Sequence, residues 1–598
     1  MPNLPPSLSG PALDQPQIIE HDETLSEDVR FRLANQDLVF DADVYANLHD
    51  LFWPWADEYY ARSIRVWISA PREDEFVPLV TRLYPGRQEV IYGSEGIIVS
   101  KQLSAPMDGT YDRSALWIFE CQAEGDRLLR IDVEVDWGEP LTQRMVDGLL
   151  VAQRNPQAAR GIYQQQNAES TRVLGNPQSR PSSAEIDDEQ RAHLVYYVLV
   201  NGEVEVPLLL TVSDVGEQMA WNGFLSIRDG DKVLEKSNTA WAETLKTGRL
   251  WTPDALLNHA MQIGRINALY GVQRLRTGFA ATARDVQETR ALVNCFDLFD
   301  PVQSRNLLAH LRRLAERTTG RLPILLPVRP KDPIDEAGTR LVYANAAYLT
   351  ALHDHLQHHF DAALLAEHYP ALGLCATVLQ QLSRMLEAEP AAGDGKSASP
   401  EAPLFAIGQA LAGAVQLARW RGDATNAANW ADSAADALLP PGQLSRMLEW
   451  AHTTGWQVGA NGMGCFPRPL DGVELAGTTI WHGCGVVQQD DQIVVAPQWP
   501  AAWNWWALLN VPKLAGSRID QALSLVWDGM VLHATEPVQS ELPVKVHKRI
   551  RTRASEEIDF DLHFEFVDES VDEQVAEGAT APHPPAEVKS YFRPAFLS

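Results

Sequence analysis

The chain reads as a multidomain α+β protein, with an antiparallel β region first, helices in the middle and a smaller β region at the end. Two changes of hydrophobic period predict this. Apolar residues alternate or run in short blocks to about residue 250, recur at helical spacing from Thr252, and return to strand-like alternation after Gly462. Length is the third observation, because 598 residues suffice for several hydrophobic cores. The expected divisions are a disordered, Pro-rich arm (1–24), a β-sandwich domain (25–250), a helical-hairpin domain (251–460), a C-terminal β domain (461–570) and an acidic tail (571–598).

In the first domain VRFRLANQDLVFDAD, SIRVWISA, QEVIYGSEGIIVSKQL, SALWIFECQ and LLRIDVEVDW have the alternating or continuous apolar character of strands. AHLVYYVLVNGEVEVPLLLTVS and AWNGFLSIRDGDKVLE extend the pattern, with NGE and RDGD as hairpin turns. From TPDALLNHAMQIGRINALYGVQRL, whose Thr-Pro suits a helix start, further helices are expected near 284–294, 301–318, 341–359, 362–388, 404–421, 424–438 and 441–454. EPAAGDGKSASPEAP, near 389–403, is a flexible insertion. Paired helices in series point to a hairpin array or toroid. TTIWHGCGVVQQDDQIVV, ALSLVWDGMVLHATE and IDFDLHFEFVD then read as strands.

A net charge of −29 argues against nucleic acid and anionic membranes, since phosphate binding needs clustered Lys and Arg. The start MPNLPPSLSG has neither the basic residues nor the apolar core of a secretory signal, and no apolar run approaches the ~20 residues of a membrane span. The cysteines at 121, 295, 375, 465 and 484 are scattered and odd in number, which suits reduced thiols in a cytoplasmic protein. No cofactor motif is present, and GANGMGCF lacks the βαβ context of a nucleotide loop. His355 and His359 stand one helical turn apart, but no Glu lies between them as in a zinc-binding HExxH and no third ligand is evident. A polar helix face is expected there, and no metal site.

The run from Arg284-Asp285 to Tyr348 joins an Arg-Asp pair, a Gly-Arg-Leu-Pro turn and the carboxylate-rich loop KDPIDEAG to a helix bearing Tyr343, Asn345 and Tyr348. Upstream, Asn35-Gln36-Asp37-Leu38-Val39-Phe40-Asp41 and His49-Asp50-Leu51-Phe52-Trp53-Pro54 resemble the opening strands of the β-supersandwich in the six-hairpin glycosidase superfamily, which holds glucoamylase-like, rhamnosidase-like and debranching enzymes. WAETLKTGRLWTPDALLNHAMQIGRINAL resembles the linker helix of those proteins, and Arg284-Asp285 the pair that binds hydroxyls of their terminal sugar. Gln36 replaces the usual Gly, Thr282-Ala283 stand where a Trp is usual, and about eight helices are expected where a full toroid has twelve.

The resemblance implies a carbohydrate ligand and glycoside hydrolysis by two carboxylates, in the inverting case ~6.5–9.5 Å apart. Arg284 and Asp285 would orient the sugar. Asp335 or Glu336, in the loop where such families often carry the general acid, would protonate the leaving oxygen, and burial would have to raise its pKa. Capping by Asp335 and a solvated acidic loop is the plainer alternative. For the base, Glu474 on a loop beside Trp481 is preferred to Glu449 in mid-helix. Tyr343, Trp481 and Trp503 could stack on sugar faces, or pack the core. A non-catalytic carbohydrate-binding or scaffolding protein that kept the architecture is the second reading.

Overall fold

The computed structural model describes residues 17–20, 29–70, 76–94, 96–107, 113–154, 169–227, 230–282, 284–329, 332, 339–388, 401–434, 469–489, 492–515, 518–554 and 562–567. The expected helix 441–454, Cys465, Glu449 and the acidic tail lie outside them.

The N-terminal half is one 14-stranded antiparallel sheet built on two long strands, Ser114–Asp136 and Ala192–Ser213, which pair along their length. The first half of Ser114–Asp136 pairs with Ile97–Ser104 and its second half with Glu58–Ser69, so two lobes grow from one spine. They close on each other over a shared core that includes Phe40, Trp53, Ile64, Val99, Trp117, Phe119 and Leu210. The Trp117 indole N–H donates to Ala46 O at 3.2 Å across it.

Side chains alternate across a strand. Trp117 and Phe119 therefore face this core, while Leu116 and Ile118 face the other way. That second face is covered by α1 (Glu217–Ser226) and α2 (Gly230–Lys246) through Ala220, Phe224, Val233 and Leu234. Burial on both faces is why SALWIF and PLLLTV are continuous apolar runs. It also corrects the expectation of strands in AWNGFLSIRDGDKVLE, which folds as these two helices. NGE is not a hairpin turn either, because the strand runs through it with an irregularity between Val200 and Gly202. Within the expected disordered arm, Gln17–Glu20 pairs as an edge strand with Val77–Tyr84.

The helical region comprises α3 (Ala255–Gly271), α4 (Thr289–Phe296), α5 (Pro301–Leu314), α6 (Thr339–His358), α7 (Ala362–Ala388), α8 (Glu401–Arg421), α9 (Ala424–Ala431) and α10 (Pro469–Cys484). Aspartates start several of them. Asp254, Asp300 and Asp423 each accept a backbone N–H of the first turn, and such caps typically contribute about 1 kcal/mol. The α10 helix replaces the strand expected at TTIWHG. Its Val473, Ala476, Ile480 and Cys484 recur at helical spacing and enter the main core against α3 and α4. The α7 helix is long and apolar enough to cross a membrane by length and composition alone. Here Leu372, Cys375, Ala376 and Leu379 are buried in the core it shares with α6 and α8.

The closing strands do not stand apart from what precedes them. Arg249–Trp251, just before α3, pairs with Trp506–Ala515 in a five-stranded sheet that continues through Arg518–Trp527, Leu532–Ala534 and Val544–Val546.

Candidate functional site

A junction between the sheet and the helix ends is built from aspartate–arginine pairs. Asn35 makes the first turn, its side-chain oxygen accepting the N–H groups of Asp37 at 2.9 Å and Leu38 at 2.7 Å. The turn presents Asp37 to Arg274, just beyond α3, which donates to both carboxylate oxygens, one at 2.8 Å. Arg113 adds a contact at 3.9 Å. Asp214, after the second spine strand, accepts from Arg276 at 3.0 Å. Asp57, on the turn following Trp53 and Trp55, accepts two bonds from Arg329, one at 3.2 Å.

Arg329 continues the chain of contacts, since its backbone N–H donates to Asp332 at 2.7 Å. Arg284 donates to both oxygens of Asp332, at 3.0 and 2.9 Å, and to Pro327 O. Burial raises the Asp332 pKa, but the Arg329 N–H and the Arg284 guanidinium outweigh it and hold the carboxyl below its usual range. Arg284 adopts φ 69, left-handed for a non-glycine residue, a conformation that persists where surrounding contacts fix it. Here its backbone is bonded to Ala281 and Leu326.

The sequence-predicted residues divide into groups. Arg284, Asp285 and Tyr343 share this end of the molecule. Asp285 caps the short helical turn Val286–Glu288, accepting Gln287 N–H at 3.1 Å, and lies 3.7 Å from Arg340 at the start of α6. Tyr343 is half-buried one turn further on. Asp335 and Glu336 lie outside the described residues. Glu474 is exposed on α10, on a helix and not on the loop expected for it. Trp481 is buried in the helical core at the far end of α6, donating to Asn294 O at 2.9 Å and stacking on His358 with ring centres 3.7 Å apart. Trp503 stacks on Trp499 at 5.2 Å, and the Trp499 ring lies against Gly483 so closely that a Cβ there would stand 2.2 Å from it. The structure thus brings Arg284, Asp285 and Tyr343 together and leaves Glu474, Trp481 and Trp503 on or behind α10.

One cluster was missed by sequence reasoning. The polar face expected for HDHLQHHF is turned inward, with His355 and His359 0% and 3% exposed. His355 donates from Nδ1 to Asp297 at 2.7 Å, and His359 donates to Asp297 O at 3.0 Å. Burial disfavours the Asp297 carboxylate, yet the histidines around it hold it far below the usual range. Asp354 likewise stays ionised against burial through Arg290, which donates to it at 3.1 Å. Burial pushes His359 down to about 3 and His482 to about 4, so both are neutral at pH 7. Stacking of His353 on Trp420 at 5.8 Å joins α8 to the group. The C-terminal ends of α4, α6, α8 and α10 therefore meet here. The signal available was the density of His and Asp in HDHLQHHF, but spacing alone does not separate an outward face from an inward one. Among the described residues no His, Cys, Asp and Glu group could hold a metal ion.

No described protein family and no curated sequence matches the chain. Among solved structures, a putative kojibiose phosphorylase from the human microbiome superposes with a TM-score of 0.55 at 8% identity, over 89% of this chain and 96% of that one. The chain shares the fold of that structure. A family GH92 alpha-mannosidase from Bacteroides thetaiotaomicron, solved with mannoimidazole, gives 0.45 at 10% identity, over 87% and 86% of the two chains. The first of these carries the likeness, and it is a likeness of fold.

Proposed function

We propose that this protein acts on a carbohydrate at the junction between sheet and helix ends, as a glycoside hydrolase-like enzyme using two carboxylates with inversion. One observation supports the placement. Asp332 and Arg340 are both anchored at the junction, to Arg284 and Arg329 and to Asp285, and Asp335 and Glu336 lie between them in the chain. In this reading one of the two is the general acid. Tyr343, half-buried on α6, is the proposed aromatic partner, while Glu474, exposed on α10 apart from the junction, is not carried over as the base. The fold shared with a phosphorylase of nearly equal length supports the substrate class and adds a variant of the chemistry, in which phosphate replaces water as the acceptor.

The test is to compare wild type with Asp335→Asn and Glu336→Gln on oligosaccharides, with and without inorganic phosphate. Loss of turnover by ~10²-fold or more in one amide variant, with sugar binding kept, is the outcome expected of a general acid. Full activity in both variants would remove the assignment.

A second reading, a non-catalytic glycan-binding protein, has its own support. One terminal nitrogen of the Arg284 guanidinium is already engaged by Asp332 and Pro327, and one Asp285 oxygen by its capped turn, so part of the pair expected to meet sugar hydroxyls is taken up within the protein. Saturable sugar binding with no turnover in wild type would favour it.

A further inference from the structure

A small open recess, with a cavity volume of about 20 Å³, lies between residues 248–251 and α3, lined by Arg249, Trp251, Asn258, Met261, Gln262 and Arg265 among others. It lies away from the junction, which α3 reaches at its opposite end, where Arg274 meets Asp37. Two of its polar side chains are engaged by the protein. Asn258 accepts from Thr252 N and Oγ1 at 2.9 Å and donates to Thr252 O at 2.8 Å. Arg265, 3% exposed, donates to the carbonyls of Leu245 at 2.7 Å, Gly248 at 2.9 Å and Thr247.

Arg249 differs. Its guanidinium rests over the Trp251 ring, 5.0 Å from the centroid, and has no carboxylate or carbonyl partner among the described residues. Burial alone lowers its pKa. The Trp251 indole N–H is buried and unpartnered, in a residue only 7% exposed. Burial and then the Arg249 charge bring Arg265 down to about 9. Two neighbouring guanidiniums without a carboxylate between them stand out in a chain of net charge −29. A buried donor left unmade costs about 1–3 kcal/mol, and an arginine fork matches the two oxygens of a carboxylate or phosphate.

We propose that this recess binds a small oxyanion, a carboxylate or phosphate group, held by the Arg249 guanidinium with the Trp251 indole N–H and the Gln262 side chain as neutral partners. The site is separate from the glycan reading and stands or falls without it.

Titration calorimetry on the full-length protein, with inorganic phosphate and acetate as separate probes, tests this. Saturable binding of at least one is expected, weakened tenfold or more in Arg249→Gln. It should weaken a few-fold in Trp251→Phe, which keeps the ring under the guanidinium and removes the N–H. Far-UV circular dichroism checks that the variants are folded. Should Arg249→Gln not fold, Arg249→Lys keeps the charge and loses the fork, so weakened binding is expected of it. No saturable uptake of either anion by wild type, or an affinity unchanged in the folded Arg249 variants, overturns the proposal.

Discussion

Asp37 shows what individual residues contribute to the junction. Its side chain is 3% exposed and both oxygens are held by Arg274. Removing one partner of a buried pair leaves an uncompensated charge and costs ~3–5 kcal/mol. Arg274→Ala should therefore lower the unfolding free energy by about 3 kcal/mol, Arg113 offsetting part of the loss. A shift of the urea midpoint at constant m measures it. A change below about 0.5 kcal/mol would mean that the pair behaves as a solvated surface contact. Lys101 gives a second test. Its ammonium is enclosed in the sheet core, bonded to Tyr45 O at 2.7 Å, Asn47 Oδ1 at 2.9 Å and Val66 O. Burial, partly offset by Asp43, lowers its pKa from 10.5 to about 7. Between those values the unfolded chain holds a proton that the folded chain has released. Stability should therefore rise with pH across that window, by up to about 1.4 kcal/mol per unit, and the gain is absent below it. Lys101→Met should remove the slope, and an equal slope in the variant would contradict the assignment.

Among the elements, α10 and α4 make the closest helix contact that a substitution can probe. A Cβ on Gly477 would stand 2.8 Å from the backbone of Asn294 and Cys295. Alanine in a helix ordinarily gains about 1 kcal/mol over glycine. Here the neighbour is backbone and cannot rotate away, so overpacking of about 1–3 kcal/mol decides the sign. Gly477→Ala should lower Tm, and an increase would show that α10 can shift. The helix ends around Asp297 predict acid sensitivity. His359 and His482 titrate near 3 and near 4 in the fold against an ordinary 6.5. Between those values the unfolded chain binds more protons, so stability is present above about pH 6.5 and is lost as pH falls through the window. Tm should drop between pH 7 and 5, and drop less in His359→Gln, which keeps an N–H for Asp297 O. A flat profile in wild type would contradict the buried, neutral histidines.

Taken as a whole, the order of β region, helices and further strands was legible because hydrophobic period changes near Thr252 and after Gly462. The start of α3 was legible from Thr252-Pro253, just ahead of it. Other features depend on partners distant in sequence. TTIWHGC carries β-branched and aromatic residues that suit a strand, and only packing against α3 and α4 makes it helical. AWNGFLSIRDGDKVLE looks two-periodic until the outer face of SALWIF needs covering. The Arg284-Asp285 pair was visible as a motif, but its engagement by Asp332 and by the Val286–Glu288 turn was not. Nothing in HDHLQHHF tells that Asp297, 58 residues from His355, stands opposite it.

The measurement that bears most directly on the central claim is nuclear magnetic resonance of wild-type protein with a panel of α- and β-linked oligosaccharides, following the anomer released. The account predicts turnover of at least one linkage with inverted configuration at the freed anomeric carbon. Absence of both turnover and saturable binding across the panel would contradict it.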